Sequence, residues 1–368
     1  MKINEIELIT FKLKNKYHFK ANYGQFKTRE LLLVKIYTDY GIGWGSCPTL
    51  GPYYSQETIG SARYIIKKVI GPAIIGANIE SIDDYLKKIT HIRDNEFAKA
   101  SIEMALWELF SKYNNKPLYK YIGGNKDIVE CGNSIGMINE EESKIFQKIY
   151  DSLDNGYNRI KLKITPGWDI KIIESVRKEF GNIKLSVDCN AGYSLKDLDI
   201  LKELDSYKLE MIEQPLHYND LYNHSLLQKE ISTPICLDES IHSIDDVKTA
   251  IKLKSCKIIN IKPSRVGGIN ETIKIHNICK ENDIPIWCGG MHESGVGLAY
   301  SLAVATLPNF TLPSDIIPPL EYYNNDIIKD DFSLNKEGKI KLNHKPGFGI
   351  EIDGKKLNRV TTSVINIK

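Results

Sequence analysis

The sequence lacks any apolar stretch of the roughly 20 residues that a membrane-spanning helix needs. Its first residues, MKINEIELITFKLKN, alternate polar and apolar side chains and contain no apolar run typical of a signal peptide. An excess of one charge is also missing, because 49 Lys and Arg residues accompany 47 Asp and Glu residues. We therefore expect a soluble cytoplasmic protein that binds neither a membrane nor nucleic acid, and whose partner is a small molecule.

Cysteine pairs and linker segments are lacking too. The seven cysteines are scattered and form no CxxC motif, which favours a reducing compartment over a disulfide framework or a zinc site. No low-complexity segment interrupts the 368 residues, of which 42% are hydrophobic and 26% are charged. This composition is typical of a globular protein that is long enough for one or two large cores.

What the sequence does contain is a repeated strand and helix pattern in its middle. Short β-branched segments alternate with helical patterns, and Ser194 and Ser243 are typical helix start residues. Such alternation predicts βα units and a parallel sheet. The predicted strands are residues 159–164, 184–190, 209–215, 234–240, 257–263 and 285–294.

A polar residue near the end of these strands recurs at an almost constant interval. Lys163, Asp188, Glu213, Asp238 and Lys262 follow one another at spacings of 25, 25, 25 and 24 residues. Because such regular units are geometrically equivalent in a closed (β/α) barrel, the spacing favours a barrel over an open sheet. Residues at the C-terminal ends of barrel strands are where barrel enzymes keep their active sites.

The flanks of the barrel have a different pattern. Residues 1–125 contain an alternating strand, a hairpin with DYG near its turn and three amphipathic helices, which predict an α+β domain. We assign the barrel to residues 126–318. Residues 319–368 lose the strand and helix rhythm, and their segment GKIKLNHKPGFGIEID predicts β structure that returns to the first domain.

The segment NRIKLKITPGWD alternates lysines with branched apolar residues. The outer face of a barrel strand packs on helices, so Ile160, Leu162 and Ile164 are predicted to point outward. Period-two alternation then turns Lys161 and Lys163 inward. Two lysines withdrawn from water at a barrel mouth need anionic partners close by.

Three carboxylates on consecutive strands, those of Asp188, Glu213 and Asp238, are the predicted partners. Carboxylates this close repel one another unless protons or a cation intervene, and an all-oxygen set favours a hard cation such as Mg²⁺ (or Mn²⁺). A cation flanked by lysines suits removal of a proton α to a carboxylate, which gives an enediolate. We expect burial, the neighbouring ammonium and the cation to lower the pKa of the lysine that acts as the base.

Simpler roles are the alternative for each residue taken alone. A strand-end Asp or Glu is commonly a cap or turn residue, and a KLK segment is commonly a solvated face. A non-catalytic barrel that binds a small carboxylate, or that serves as a structural partner, is the alternative from a different class. The recurrence of charged residues at successive strand ends, with opposed lysines, favours the enzyme.

These residues resemble the enolase superfamily, muconate-lactonizing subgroup. The resemblance is carried by KLK, DCN, EQP, DES and KPSRVGG, in this order along the chain. More narrowly, NEFAKASIEMALWEL, YIGG and WCGGMHESGVG look like the o-succinylbenzoate synthases of Gram-positive type, many of which also racemise N-acylamino acids. The resemblance implies a (β/α)7β TIM-like barrel with an α+β capping domain built from the N-terminal region and the C-terminal tail, and a Lys base that works with Mg²⁺.

The resemblance also implies a role for each motif residue. Lys163 would take the α-proton, Lys262 would face it across the substrate, and Mg²⁺ would be held by Asp188, Glu213 and Asp238. The residues expected to bind the substrate or to surround the metal site are Lys161, Asn190, Glu239, Arg265, Ser134, Gly289, Gly290, Met291, Tyr53 and Tyr54.

Some of these residues keep two interpretations. Arg265 matches an arginine of members that racemise and would pair with an acid to tune Lys262, or it forms an exposed ion pair in a barrel loop. Gly289 and Gly290 let the backbone approach a ligand closely, or they make a simple tight turn. Ser134, in GNSIG, looks like the serine that lies near the substrate carboxylate in the family.

Other positions depart from the family or lie in its capping loops. His292 stands where an apolar residue is expected, and we expect an outward or hydrogen-bonded side chain without a chemical role. Ser46 replaces a frequent Glu at the contact between cap and barrel. Tyr23, Tyr53 and Tyr54 are expected to cover the ligand, or alternatively to pack against an oligomer neighbour.

The reaction implied is the dehydration of 2-succinyl-6-hydroxy-2,4-cyclohexadiene-1-carboxylate to o-succinylbenzoate, a menaquinone precursor. Racemisation of N-acyl or N-succinyl amino acids is the close alternative, in the same site, and dipeptide epimerisation is a more distant one. Dehydration needs one proton-transferring lysine, whereas racemisation needs both. The expected partners are thus a small carboxylate substrate and, in a homo-oligomer, further copies of the chain.

Overall fold

The structure is a computed structural model. It describes residues 1–21, 24–52, 54–136, 139–330 and 332–368, and the side chains of 17–26 are outside that description. Tyr23 and Tyr53, which were predicted to cover the ligand, therefore lie outside the described residues. Within the described part, no helix combines the length and the apolar character needed to cross a membrane.

The N-terminal region consists of antiparallel strands followed by helices. A π-helical stretch, Ile66–Ile70, joins the first two helices. The elements are β1 (Ile3–Ala21), β2 (Gly24–Thr38), β3 (Ile42–Cys47), α1 (Ile59–Ile65), α2 (Gly71–Ile74), α3 (Ile82–Ile89), α4 (Glu96–Tyr113) and α5 (Leu118–Tyr121).

Strands and helices alternate from residue 128 onward. Two capping boxes, at Ser194 and Ser243, begin helical segments as their sequence predicts. The elements are β4 (Ile128–Glu130), β5 (Asn133–Ile135), α6 (Glu142–Asp154), β6 (Ile160–Lys163), α7 (Ile170–Phe180), β7 (Leu185–Asp188), α8 (Leu198–Leu204), β8 (Ile212–Glu213), α9 (Leu221–Glu230), β9 (Ile235–Leu237), α10 (Ile244–Leu253), β10 (Ile258–Ile261), α11 (Ile269–Glu281), β11 (Ile286–Cys288) and α12 (Gly295–Val304).

The last part of the chain returns to the elements already described. Its elements are α13 (Pro319–Tyr322), β12 (Lys339–Lys341), α14 (Gly354–Val360) and β13 (Thr361–Ile367). Strand β12 pairs with β4, and β13 pairs antiparallel with β1, so that the N-terminal sheet has the order β13-β1-β2-β3. The capping sheet is thus built from both ends of the chain, as the resemblance implies, through β13. Strand β12, within the segment predicted to return to the first domain, pairs instead with β4 of residues 126–318.

The central sheet is parallel and curled. Its strands run in the order β11-β10-β9-β8-β7-β6-β5. Segment 309–315 lies between the two edge strands, where Asp315 N donates to Cys288 O at 2.9 Å and Gly132 N donates to Ser314 O at 2.8 Å. These contacts are isolated bridges, at Cys131 and Ser314 and at Ile286 and Phe310, in place of a regular strand.

The predicted TIM-like barrel fold class is confirmed, with an irregular segment in the eighth position. Its outer layer is apolar, because Ile160, Leu162 and Ile164 belong to the large hydrophobic cluster between strands and helices. Lys161 and Lys163 point to the inside, where their ammonium groups meet carboxylates of other strands. The alternation of the KLK segment therefore has the predicted orientation.

Buried polar contacts join the capping domain to the barrel. Glu103 of α4 accepts hydrogen bonds from the first amides of α11, Ile269 N at 2.6 Å and Asn270 N at 2.8 Å. Arg29 of β2 donates to Pro48 O at 2.6 Å and, across the joint, to Met291 O at 3.4 Å. These contacts fix the capping loops above the barrel mouth.

Candidate active site

The strand ends at the barrel mouth lie side by side. In the register of the sheet, Lys163 is paired with Asp188, and Asp188 is paired with Glu213. Asp238 comes directly after β9, and Lys262 comes directly after β10. All these side chains are buried. The regular spacing in the sequence has thus become a row of charged groups across neighbouring strands.

Lys163 binds two groups at the end of the next strand, β7. Its Nζ donates to Asp188 Oδ2 at 2.7 Å and to Asn190 Oδ1 at 2.6 Å. Asn190 has a left-handed backbone, with φ at 41°, and its Nδ2 donates to Glu239 Oε1 at 2.9 Å. The predicted neighbours Asn190 and Glu239 are therefore connected to the predicted base.

Lys161 lies among three carboxylates inside the barrel. Its Nζ is 2.6 Å from Asp315 Oδ2, 2.7 Å from Glu213 Oε2 and 3.4 Å from Asp188 Oδ2. Arg159, which is fully buried, binds the other oxygen of Asp315. Neither Arg159 nor Asp315 was among the residues predicted from the sequence.

Lys262 and Arg265 share one carboxylate and one tyrosine. Lys262 Nζ donates to Asp238 Oδ2 and to the Tyr54 hydroxyl, both at 2.7 Å. Arg265 binds the other oxygen of Asp238, and its Nη1 donates to the same hydroxyl at 3.1 Å. Arg265 is buried, so its interpretation as an exposed ion pair is wrong. Tyr54 brings a capping loop into contact with a barrel lysine.

The ion pairs determine the protonation of the lysines. Burial, the largest single influence, lowers the pKa of Lys262, but Asp238, Tyr54 and Glu239 together raise it, and the pKa lies well above its ordinary value. Burial likewise lowers the pKa of Lys161, and Asp315, Glu213 and Asp188 together raise it well above the ordinary value. Both pKa values are raised because each ammonium lies within 2.7 Å of a carboxylate. The expectation of a lowered pKa concerns the base, Lys163, and stays a prediction.

The carboxylates differ in their pKa. For Asp238, burial raises the pKa, but Lys262 and Arg265 lower it well below the ordinary range. Burial, followed by the charge of Asp188, raises the pKa of Glu213 to about 7. Burial, followed by the charge of Asp238, raises the pKa of Glu239 to about 8. Near neutral pH these raised pKa values favour the protonated forms of Glu213 and Glu239, and a cation bound beside them would favour the ionised forms.

A small cavity of about 50 Å³ opens beside these groups. Leu50 and Tyr54 line it from the capping loops, and Ser134 lines it from β5. The other residues around it include Lys161, Lys163, Asp188, Asn190, Lys262, Gly290, His292, Glu293 and Asp315.

The glycine-rich turn after β11 has two structural roles. A Cβ atom on Gly289 would lie 2.4 Å from Asn260 Oδ1 and 2.7 Å from Lys262 Cε, so this position needs glycine for Lys262 to pass. Gly290 borders the cavity, whereas Met291 packs in the hydrophobic cluster of the capping domain. Of the predicted residues in this turn, Met291 contacts the cap.

His292 and Ser46 were noted in the sequence as departures from the family. His292 borders the cavity, so the expectation of an outward side chain is wrong. Burial, followed by the charges of Arg29 and Lys163, lowers the pKa of His292 to about 3, which makes it a neutral imidazole. Ser46 is buried in β3, and a Cβ on Gly297 would lie 3.0 Å from Ser46 Oγ and 2.6 Å from Glu293 Cβ. Glu293 of the barrel therefore lies close to Ser46.

The sequence analysis missed several buried polar residues of the mouth. Asn260 Nδ2 donates to Glu213 Oε1 at 2.8 Å, and Gln214 Oε1 accepts from Asp238 N at 2.9 Å. The strand-end interval could have found Asp315, because it lies 27 residues after Cys288, which ends β11.

The donor chemistry of the mouth fits a hard divalent cation. The side chains of Asp188, Glu213 and Asp238 supply only oxygen, and Glu239 Oε2 is buried without a hydrogen-bond partner in the described part of the chain. No three His, Cys, Asp or Glu side chains converge as a ready metal site within the described ranges. One oxygen each of Glu213, Asp188 and Asp238 is bound by Lys161, Lys163 and Lys262.

Two family profiles match consecutive parts of the chain. The profile described as "Mandelate racemase / muconate lactonizing enzyme, N-terminal domain" matches residues 5–123, and "Enolase C-terminal domain-like" matches residues 146–356. The chain belongs to the enolase superfamily. Enolase superfamily members are generally Mg²⁺-dependent, which agrees with the oxygen donors of the mouth.

The similar proteins cover nearly the whole chain. An o-succinylbenzoate synthase of Bacillus subtilis is 38% identical over 366 residues, which are 99% of this chain and 98% of that protein. An N-succinylamino acid racemase of Thermus thermophilus is 37% identical over 98% of both chains. The solved structure of an enolase superfamily member from Listeria innocua superposes with a TM-score of 0.95, at 38% identity, and covers 100% of this chain and 99% of that one.

Proposed function

We propose that this enolase superfamily enzyme dehydrates 2-succinyl-6-hydroxy-2,4-cyclohexadiene-1-carboxylate to o-succinylbenzoate, by removing a proton α to the carboxylate. The observation that carries the proposal is that Lys163 and Lys262 border one cavity, with β7, β8 and β9 between their positions. The similarity to the o-succinylbenzoate synthase of Bacillus subtilis supports this choice of substrate.

Lys163 is the proton-transferring residue of the proposed reaction. As a neutral amine its Nζ takes the α-proton and then returns a proton to the departing hydroxyl, which leaves as water. The ammonium of Lys262 stabilises the negative charge of the enediolate. Asp188, Glu213 and Asp238 would hold Mg²⁺ (or Mn²⁺), which supplies positive charge that favours ionisation of the carbon acid.

The charge balance of the mouth decides whether Lys163 can act as a base. Asp188 lies 2.7 Å from Lys163 Nζ and favours its protonated form. When the negative charge of Asp188 is engaged elsewhere, the neighbouring ammonium of Lys161 and the buried position both favour the neutral amine. The lysine is thus active only in the assembled site.

Racemisation of N-succinyl amino acids is the second candidate. It is favoured by Lys262, which borders the same cavity as Lys163 and therefore can serve the opposite face of a substrate. The buried pair of Arg265 with Asp238, next to Lys262, supports an acid-base role for that lysine. The racemase of Thermus thermophilus is a relative with this activity in its name.

A parallel assay of the purified protein with Mg²⁺ tests the proposal. One arm follows dehydration of the succinyl cyclohexadiene carboxylate by ultraviolet absorbance, and the other follows loss of optical rotation from N-succinyl amino acids. Fast dehydration is expected and would support a place in menaquinone synthesis. Racemisation without dehydration would favour the second candidate, and no turnover in either arm would contradict both.

We also propose a cytoplasmic homo-oligomer. Free, buried cysteines throughout the described residues support a reducing compartment. Exposed aromatic side chains on the surface, among them Tyr64 and Tyr222, are suited to contacts between copies. Cell fractionation and light scattering of the purified protein test these two statements, and a monomeric mass would contradict the second.

A further inference from the structure

We infer that Asp315, anchored by Arg159, is a positioning residue that holds Lys161 in place for the reaction. The inference rests on the proposed function, because it assigns a role within the same site. Asp315 comes from segment 309–315, the irregular eighth position of the barrel, and reaches Lys161 Nζ at 2.6 Å, the shortest of the three carboxylate contacts of this lysine.

The three partners of Lys161 are not equivalent. Glu213 and Asp188 belong to the carboxylate set that would hold the metal. With a cation bound, their negative charge would be shared between that cation and Lys161. Asp315 is not in that set, and its other oxygen is bound by Arg159. It is therefore the carboxylate that continues to hold the Lys161 ammonium when the other two are engaged.

The anchor of Asp315 is rigid. The Arg159 side chain is fully buried, and its guanidinium carbon lies 4.3 Å from the centre of the Trp287 ring. The Lys161 ammonium lies 4.9 Å from the centre of the same ring. A planar cation stacked on a fixed aromatic ring keeps its orientation, and the carboxylate it binds is held with it. Arg159, Asp315 and Lys161 thus form one connected unit inside the barrel.

The unit predicts coupling between Asp315 and Lys161. The Asp315→Asn variant keeps the shape and removes the charge, so Lys161 loses its permanent partner. We expect kcat to fall about tenfold or more, and KM to change less than about threefold, because Asp315 acts through Lys161 and not on the substrate. In a Lys161→Met background, Asp315→Asn should change kcat by less than about twofold.

A double-mutant cycle on kcat and KM tests the inference, with α-proton exchange in deuterated water as the readout for slow variants. An equal fold-loss from Asp315→Asn in both backgrounds, or a KM that rises equally in both, would overturn it. Arg159→Lys serves as a second variant, with a smaller loss of kcat expected and the same dependence on Lys161.

A second readout does not depend on turnover. Urea unfolding of chelator-treated protein should show a lower midpoint for Asp315→Asn in the wild-type background and a smaller drop in the Lys161→Met background. Asp326→Asn is the matched control, because Asp326 is buried and accepts from Gly295 N at 2.9 Å, and its drop should be equal in both backgrounds. A wild-type protein without turnover would refute the proposed function alone, while equal drops for Asp315→Asn would refute this inference.

Discussion

Buried carboxylates occur in two regions of the molecule, and their partners differ. At the joint of cap and barrel, Glu57 accepts from Phe97 N at 2.7 Å, and Glu103 accepts from the first amides of α11. At the mouth of the barrel, Asp188 and Asp238 are bound by lysine and arginine side chains. The same chemical group is thus satisfied mainly by backbone amides in one region and by cationic side chains in the other.

The pKa values follow the difference in partners. Burial raises the pKa of Glu57 and of Glu103 to about 7, since backbone amides compensate only part of the loss of water. At Asp238 burial also raises the pKa, but the adjacent cations reverse the effect. Backbone amides are fixed in place beside the carboxylate that they bind. A lysine side chain, by contrast, can release its carboxylate and bind another partner. The joint is therefore suited to structure and the mouth to chemistry.

Loss of Lys163 is expected to have the largest effect on activity. It would sharpen the contrast between the chemical role of the mouth and the structural role of the joint. Lys163→Ala removes the proposed base, and general acid-base groups contribute about 10²- to 10⁴-fold to rates, so kcat should fall by that factor. Lys126→Ala is the matched control, because this half-buried lysine donates to Phe310 O at 2.8 Å away from the mouth. Solvent-deuterium exchange at the substrate α-carbon measures both variants, and unchanged exchange in Lys163→Ala would contradict its role.

Loss of Asp238 tests the ion pairs of the mouth. Asp238→Asn leaves Lys262 and Arg265 buried side by side without their counter-charge, and breaking a buried pair costs about 3 to 5 kcal/mol. Urea unfolding should record a decrease of this size. A decrease below about 1 kcal/mol would mean that water reaches these cations, and the distinction between the two regions would fail.

The pH dependence of stability tests the joint. The unfolded chain releases the protons of Glu57 and Glu103 near pH 4.5, whereas the folded protein holds them up to about pH 7. Their stabilising contribution is therefore complete below about pH 4.5 and is lost as the pH rises to about 7, by up to about 3 kcal/mol per group. Glu103→Gln does not titrate and should flatten this decline. If the unfolding free energy of the variant declined with pH as steeply as that of the wild-type protein, the raised pKa of Glu103 would be contradicted.

An exposed ion pair should show the smallest effect. Lys202 Nζ lies 2.7 Å from Glu230 Oε2, the same distance that separates Lys163 from Asp188, but both exposed side chains remain in contact with water. Lys202→Ala should leave the urea midpoint of unfolding almost unchanged. A clear fall of that midpoint would show that burial is not what separates the mouth from the surface.

Much of the fold and the main charged residues could be predicted from the sequence. The regular spacing of charged residues from Lys163 to Lys262 follows from the repeat of strand and helix, and this repeat is visible in the amino-acid sequence. Asp315 was missed because its segment has neither β-branched alternation nor a following regular helix, with Pro313 two residues before it. The raised pKa values of Lys161 and Lys262 were not predicted either, because they depend on distances between atoms of different strands.

Segment 309–315, which lies between the two edge strands of the barrel, has a consequence for synthesis of the protein. Its bridge joins Cys131 to Ser314, so the two edges of the sheet meet only after more than half of the chain has been made. Asp315 arrives with that last segment, and β13 of the capping sheet arrives later still. Until that segment has been made, Lys161 lacks its Asp315 partner and the two edges of the sheet lack the segment between them. Lys161 therefore acquires its complete set of carboxylate partners only when translation is nearly complete.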